Sequence, residues 1–453
     1  MQVKREQWGS KIGFILAAAG SAVGLGNIWR FPYLAGENGG AAFIFVYILC
    51  VVAIGIPVLI AEILIGRTTQ KNPVGSFKSL TNNKFWHSIG GMGVFAGFII
   101  LSFYAVVAGW TVGYIIEAFR GTLSADINST IANNHFEALT QNPVWDISML
   151  ALIMLFTMGI VYFGVQKGIE LGGKIMMPLL FVLLIGLMIR GLTLDTELKG
   201  LNYLFNPDFS KITTKVVLAA LGQAFFSMSL GMGAMMTYGS YMSKKDNIPV
   251  SSVWIALLDT GVAIVAGVCI FSIVFATGQS PDVGPSLIFQ TLPVVFTKMT
   301  GGYLFSILFF IALGLAALTS TVSLLEVVTA YFVDEKGWKR QNAVIVFGTL
   351  AFIIGIPSAL SFNALADFKI LGLTFFSLTE FISSNLMLPI GGFFISIFVG
   401  WLWGLDKVKE FVRHGSESLF DKYRWLFPFW VFILKYLAPI LILIVLLSSI
   451  GLI

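Results

Sequence analysis

The chain has 453 residues, of which 57% are hydrophobic and 11% are charged. Soluble domains carry about 25% charged residues, so the composition excludes a soluble protein and indicates one that crosses a membrane many times. The net charge of +5 comes from basic loops and gives no sign of nucleic acid binding. The sequence has no glycine-rich phosphate loop with its lysine, so ATP does not drive transport or catalysis through this chain.

An apolar run of about 17–25 residues is long enough to cross the hydrocarbon core as a helix. The sequence predicts eleven such spans and therefore an all-α polytopic membrane protein. The spans are expected near residues 11–35, 41–66, 89–119, 146–163, 171–190, 216–241, 251–276, 302–332, 341–360, 377–403 and 427–451.

The first span is interrupted in its middle. It contains Gly20, Gly24, Gly26 and Asn27 at the depth where a spanning helix should be uniformly apolar. Each glycine in a helix interior makes the helix less stable than alanine would, by about 1 kcal/mol. Unwound backbone is tolerated in a membrane only where it lines an enclosed cavity. The pattern favours a broken helix that binds something. The alternative is a face of small residues that lets helices pack closely.

The sixth span has a matching interruption. Ser227, Ser229, Gly231 and Gly233 lie at its midpoint. Because the two broken spans are five apart, the second unit enters the membrane from the other side, which predicts an inverted repeat and weakens the packing alternative. The predicted units are residues 1–190 (spans 1–5), 191–404 (spans 6–10) and 405–453 (a cytoplasmic loop and an accessory eleventh span).

Further polar residues lie inside the spans. Thr319 and Ser320 are in the middle of the eighth span, and Asp259 and Glu62 are ionisable residues at membrane depth. Intramembrane ionisable groups are functional candidates by default. We expect Glu62 to hold the broken backbone in place rather than to contact a solute.

The distribution of basic residues predicts the orientation. The N-terminus and alternate loops hold nineteen of the 28 Lys and Arg residues, and the opposite loops hold seven. Basic loops stay on the cytoplasmic side. We therefore expect a multi-pass protein of the plasma membrane, with its N-terminus in the cytoplasm and Ile453 outside the cell.

Four segments resemble the neurotransmitter:sodium symporter family: AVGLGNIWRFPY (22–33), ENGGAAF (37–43), SLGMGAMMTYGSY (229–241) and ALTS (317–320). The resemblance extends over nearly the whole chain. Among members of the family, the length and short loops are most similar to those of the bacterial hydrophobic amino-acid transporters. The resemblance implies a five-plus-five inverted-repeat fold and a sodium-coupled symporter that imports aliphatic and aromatic L-amino acids by alternating access.

The same resemblance implies the ligands of two sodium ions and of the substrate. The first ion would contact the Ala22 carbonyl, the side chains of Asn27, Ser227 and Asp259, and the substrate carboxylate. The second would contact the carbonyls of Gly20, Val23 and Ala316 and the hydroxyls of Thr319 and Ser320. The substrate would contact Ala22, Gly24, Leu25, Gly26, Ile100, Tyr104, Phe226, Ser227, Ser229, Met232, Ser323 and Leu324.

Two positions bear on specificity and ion use. Amine-transporting relatives carry Asp where this chain has Gly24, which favours an amino acid that brings its own carboxylate. Asp259 stands where many relatives have Asn, and its charge would make chloride unnecessary. The alternative is that Asp259 exchanges a proton during transport.

The family resemblance also implies two gates. Arg30 would pair with Glu380 above the site. Arg5 and Asp334 would form a cytoplasmic latch, with Trp8 and Tyr241 packed around it. The alternative for each pair is a charged residue at the membrane edge whose side chain extends to water.

A channel and a membrane-embedded enzyme are the competing functions. The polar residues cluster at the membrane midplane instead of forming a continuous file, which argues against a channel. The sequence offers no nucleophile beside a base and no metal-ligand spacing, which argues against an enzyme.

Overall fold

The computed structural model describes residues 6–123, 127–276, 278 and 288–452. These residues form helices joined by short loops, with no strand among them. In chain order the helices are α1 (Lys11–Ala22), α2 (Gly26–Glu37), α3 (Ala41–Thr69), α4 (Pro73–Leu80), α5 (Lys84–Arg120), α6 (Ser129–Thr140), α7 (Pro143–Tyr162), α8 (Val165–Leu194), α9 (Lys199–Phe205), α10 (Thr214–Ser227), α11 (Ala234–Gly239), α12 (Ile248–Ala276), α13 (Thr291–Thr297), α14 (Gly302–Lys336), α15 (Arg340–Leu360), α16 (Phe375–Leu402), α17 (Leu405–Arg413), α18 (Glu417–Lys422) and α19 (Leu426–Ser449).

The helices confirm the predicted all-α membrane-spanning class. Within the described residues, nine helices are long and apolar enough to cross a membrane: α3, α5, α7, α8, α12, α14, α15, α16 and α19. The pair α1 and α2 adds a tenth span, bent by 52° at its break. The sixth predicted span is divided between α10 and α11, neither of which is long enough by itself, so the count of eleven stays a prediction.

The first break lies between α1 and α2. Helix α1 ends at Ala22 because Val23 turns to an extended conformation, with ψ at 111°. The Gly24 amide then donates to the Asn27 side-chain oxygen at 3.0 Å instead of to a helical carbonyl. A side chain of the next helix thus satisfies a backbone group that the break releases.

The second break lies between α10 and α11. Ser229, Gly231 and Gly233 all have positive φ, at 54°, 84° and 75°. This conformation is easy for glycine but costs about 1–3 kcal/mol for another residue. The Ser229 hydroxyl offsets that cost with a hydrogen bond to the Ser21 carbonyl at 2.9 Å, while the Gly231 amide donates to Glu62 Oε1 at 2.6 Å. Glu62 therefore makes the backbone contact that its position predicted.

The two broken spans lie within a bundle of long helices. Helices α5 and α14 pack against each other along their length, and α1 lies among α8, α12 and α14. Helix α11 packs on α3 through Gly66, where a Cβ would lie 1.9 Å from the Met236 carbonyl oxygen. The second half of the sixth span thus rests directly on the backbone of α3.

Gly66→Ala should lower the thermal stability of the purified protein, because overpacking of this kind typically costs about 1–3 kcal/mol. The matched control is Gly159→Ala in α7, where a Cβ would have no heavy atom within 4 Å. Because alanine stabilises a helix by about 1 kcal/mol relative to glycine, the Gly159→Ala variant should be as stable as the wild type or more stable. Thermal unfolding in detergent measures both, and equal melting temperatures would contradict the proposed contact.

Candidate functional site

The two helix breaks face each other across the centre of the bundle. The Ser229 hydroxyl of the second break donates to the Ser21 carbonyl of the first, and Asn27 Nδ2 donates to Ser227 Oγ at 3.0 Å. All four residues are buried. Polar groups from both breaks therefore meet in one region without bulk water.

A first group of oxygen atoms surrounds Asp259. Its carboxylate accepts hydrogen bonds from Ser227 Oγ at 2.8 and 2.9 Å and from Asn27 Nδ2 at 2.7 Å. The Tyr47 hydroxyl donates to Asp259 Oδ2 at 3.4 Å. The structure thus brings together the three side chains predicted for the first sodium ion, next to Ala22 in the first break. Hydroxyl, carbonyl and carboxylate oxygens are ligands that suit a hard cation.

A second group lies where α14 passes the first break. Thr319 Oγ1 lies 2.9 Å from the Ala316 carbonyl oxygen and 3.4 Å from that of Val23. Ser320 Oγ lies 3.3 Å from the Val23 carbonyl oxygen. Gly20 faces the same helix, because a Cβ there would lie 3.3 Å from Thr319 Cβ. The five residues predicted for the second ion are therefore neighbours.

A cavity of about 30 Å³ lies between the two breaks. Of the twelve predicted substrate residues, eleven line it, and Leu25 lies behind them with its amide donating to the Tyr104 hydroxyl at 2.9 Å. A Cβ at Gly24 would lie 2.4 Å from Ser320 Oγ and 2.6 Å from the Tyr104 hydroxyl. The cavity therefore has no room for an aspartate at position 24.

Ser21, Ser320 and Leu388 also line the cavity. Ser320 was predicted as an ion ligand, and Ser21 is adjacent to the predicted break. Leu388 of α16 was not predicted, because one leucine in an apolar span carries no signal that separates it from its neighbours.

Arg30 lies above the cavity on α2. Its guanidinium is 4.8 Å from the centre of the Phe226 ring and donates to Gln223 Oε1 at 3.4 Å. Glu380 lies within electrostatic reach of Arg30, yet no ion pair within 4.0 Å joins these two described residues. The predicted gate pair is therefore not closed in this structure.

The N-terminal segment forms a closure at the end of the sixth predicted span. Trp8 donates from its ring nitrogen to the Tyr238 carbonyl at 2.9 Å and from its backbone to the Tyr241 carbonyl at 3.0 Å. Asp334 accepts from the Asn72 backbone amide at 2.9 Å. The predicted partner Arg5 lies outside the described residues, so the Arg5 and Asp334 latch stays a prediction.

A buried ion pair that the sequence analysis missed lies beside this closure. Arg340 contacts both carboxylate oxygens of Glu326, at 2.6 and 3.0 Å, and the Tyr241 hydroxyl donates to the same carboxylate. Glu326 is 0% exposed. Arg340 Nε also lies 3.4 Å from Glu6 in the N-terminal segment. Glu326 could have been noticed in the sequence as an acid inside the eighth span, but nothing there indicated its partner.

Arg340→Ala should destabilise the protein by about 3–5 kcal/mol, because it leaves the Glu326 charge buried without its partner. The control Arg340→Met with Glu326→Gln removes both charges and should be much less destabilising. Thermal and denaturant unfolding of the purified variants in detergent test this. If the single and double variants were equally stable, Glu326 would not depend on Arg340.

The model of the Sodium:neurotransmitter symporter family matches residues 5–143 and 138–452. The chain therefore belongs to this family, which is a family of transporters and not of enzymes. With the apolar helices described above, this makes it a multi-pass membrane protein. The family predicted from the four sequence segments is thus confirmed.

Known relatives resemble the chain over its whole length. It is 40% identical to an uncharacterised sodium-dependent transporter, YhdH, of Bacillus subtilis (strain 168), which covers 99% of this chain and 98% of the relative. An uncharacterised sodium-dependent transporter of Haemophilus influenzae is 34% identical, with 98% of each covered. The crystal structure of MhsT in complex with L-phenylalanine has 48% identity and a TM-score of 0.90, and covers 98% of this chain and 100% of that one. The predicted transporter fold and the resemblance to bacterial hydrophobic amino-acid transporters are thereby confirmed.

Proposed function

We propose that this protein imports hydrophobic L-amino acids together with sodium ions by alternating access. The observation that carries the proposal is the small cavity between two helix breaks, which has oxygen-rich groups beside it and apolar side chains around the rest. The bound L-phenylalanine of MhsT, at 48% identity, supports the substrate class. The names of the relatives support sodium as the coupling ion.

Two sodium sites follow from the two oxygen groups. The first comprises the Ala22 carbonyl with Asn27, Ser227 and Asp259, and is completed by the substrate carboxylate. The second comprises the carbonyls of Gly20, Val23 and Ala316 with Thr319 and Ser320. Each positive charge moved inward is worth about 2.3 kcal/mol per 100 mV. Two ions with a zwitterion would add roughly 4–5 kcal/mol of electrical drive at that potential.

The backbone of the amino acid would lie against the two breaks. The Tyr104 hydroxyl accepts a hydrogen bond from the Leu25 amide, so its own proton can donate to a substrate carboxylate beside Gly26. The Ser229 hydroxyl donates to Ser21, so its lone pairs can accept from the ammonium group along with the Ala22 and Phe226 carbonyls. Both charged ends of the substrate would thus be paired.

The substrate side chain would lie among Ile100, Phe226, Met232, Ser323 and Leu324. Burying an unpaired charge in such a site is strongly unfavourable. Gly24 leaves no acid for the ammonium of an amine that lacks a carboxylate. These features favour aliphatic and aromatic amino acids over ionic amino acids and monoamines.

The inverted repeats are proposed as residues 1–190 and 191–404, with residues 405–453 as a cytoplasmic loop and accessory span. The N-terminus would be cytoplasmic and Ile453 extracellular. In this orientation the Trp8 closure is on the inner side and Arg30 with Glu380 on the outer side. The protein would then alternate between openings on either side of the cavity.

Labelled leucine uptake into proteoliposomes with an inward sodium gradient should be inhibited by isoleucine, valine, phenylalanine, tyrosine and tryptophan. Lysine, glutamate and dopamine should compete at least about a hundredfold more weakly, because each would bury a charge without a partner. Equal competition by a monoamine and its parent amino acid would contradict the proposed carboxylate contact. Absence of sodium-driven uptake of any of these amino acids would contradict the proposed function itself.

Thr319→Ala with Ser320→Ala should raise the sodium concentration needed for half-maximal leucine binding. A polar contact to a charged group contributes about 1.5–3 kcal/mol, so the sodium concentration for half-maximal binding should rise at least about tenfold. The control is Ser306→Ala, which removes a hydroxyl of the same helix that bonds to the Tyr303 carbonyl at 2.8 Å. An unchanged sodium dependence in the double variant would mean that the second site lies elsewhere.

Chloride should not be required for transport, because Asp259 supplies a negative charge beside Tyr47 and Ser227. Uptake by the wild type should continue when gluconate replaces chloride, and Asp259→Asn should reduce uptake or make it sensitive to the anion. The control is Asp146→Asn, which alters another buried carboxylate, one that accepts from Trp110 Nε1 at 2.7 Å. Loss of wild-type uptake in gluconate would contradict the proposal that Asp259 replaces chloride. An uptake rate that changes with internal pH in the wild type but not in Asp259→Asn would favour proton exchange by Asp259.

A further inference from the structure

Leu388 is the residue through which α16 reaches the central cavity. It lines the cavity, is 2% exposed, and comes from the tenth predicted span. The other lining residues belong to the two broken spans or to α5 and α14. Leu388 is therefore the one lining residue that α16 contributes.

The backbone around Leu388 is held tightly against the second break. A Cβ at Gly231 would lie 2.1 Å from the Leu388 carbonyl oxygen, and a Cβ at Gly391 would lie 2.1 Å from the Gly231 carbonyl oxygen. Two backbones that touch without intervening side chains cannot move closer, and separating them would open voids in a close-packed interior. The position of Leu388 relative to the cavity is thus fixed.

Met232 forms a neighbouring wall with different properties. It lies between Gly231 and Gly233, in the unwound segment where both glycines have positive φ. Methionine is unbranched and adapts its shape to what it packs against. The cavity therefore has one wall that can adapt, Met232, and one wall held by its backbone, Leu388.

The present size of the cavity makes this difference important. Its volume of about 30 Å³ is well below the roughly 150 Å³ of a buried protein cavity that binds benzene. An aromatic substrate therefore needs side chains to move aside. The flexible side chain of Met232 can do so, whereas the backbone of Leu388 is held against Gly231.

We propose that Leu388 sets the upper size limit for the substrate side chain. The inference rests on the proposed amino-acid site but adds a specificity-determining residue to it. A smaller residue at 388 should favour large aromatic substrates, and a larger residue should exclude them. Neither change should alter sodium dependence, because Leu388 contributes no oxygen to either ion group.

The test is equilibrium binding of labelled L-leucine to the purified protein in sodium, with competition by valine and tryptophan. One missing or additional methylene in a pocket changes selectivity by about tenfold or more. Leu388→Ala should therefore shift the ratio of the two inhibition constants at least about tenfold toward tryptophan, and Leu388→Phe should shift it at least about tenfold toward valine. Leu388→Val is a milder variant that should give an intermediate shift if the alanine or phenylalanine variant does not fold.

Ile395→Ala is the matched control, because Ile395 is buried on the same helix and does not line the cavity. It should keep the wild-type ratio. Variants at 388 that bind leucine with an unchanged ratio would overturn the role of Leu388 and leave the proposed function intact. Binding of no amino acid by the wild type would instead overturn the proposed function, and with it this inference.

Discussion

The peptide groups released at the two helix breaks must find partners inside the membrane, and the rest of the structure depends on this requirement. Unsatisfied backbone groups cost several kcal/mol each in hydrocarbon. Asn27 satisfies the Gly24 amide, Glu62 satisfies the Gly231 amide, and Ser229 satisfies the Ser21 carbonyl. Oxygen atoms of the two breaks also meet side chains of neighbouring helices, around Asp259 and beside Thr319 and Ser320. The contacts that stabilise the breaks thus also bring together the oxygen groups that we propose as the sites of sodium and of the amino acid.

The closure formed by the N-terminal segment combines strong and weak contacts. The Glu326 and Arg340 pair is buried, so separating it would leave a charge without a partner. The contact between Arg340 and Glu6 involves a side chain that is 47% exposed, and exposed ion pairs are worth about 0–1 kcal/mol. The ion pair between Arg340 and Glu6 therefore adds little to the attachment of the N-terminal segment, whereas the buried pair joins α14 firmly to α15.

The glycine clusters made both breaks predictable, because their recurrence at matched depths favours an inverted repeat of broken helices over a face that serves only close packing. The sequence shows Asn27, Ser227, Asp259, Thr319 and Ser320 as polar residues inside the spans. The family resemblance assigns them to two ions, and the structure places them in two groups. The partner of Glu326 and the wall formed by Leu388 could not be predicted in this way. A pairing between two helices depends on their rotation and register, and a leucine among leucines does not show which way it faces. The open Arg30 and Glu380 pair depends on conformation, which a motif does not encode.

We propose that sodium completes the two broken helices and thereby creates the amino-acid site. Equilibrium binding of labelled L-phenylalanine to the purified protein, in sodium chloride and in choline chloride of equal ionic strength, tests this claim directly, since it requires neither a gradient nor a membrane. We expect saturable binding in sodium and its loss in choline, because the first ion and the substrate carboxylate would contact each other. Equal affinity in the two salts would contradict this proposal.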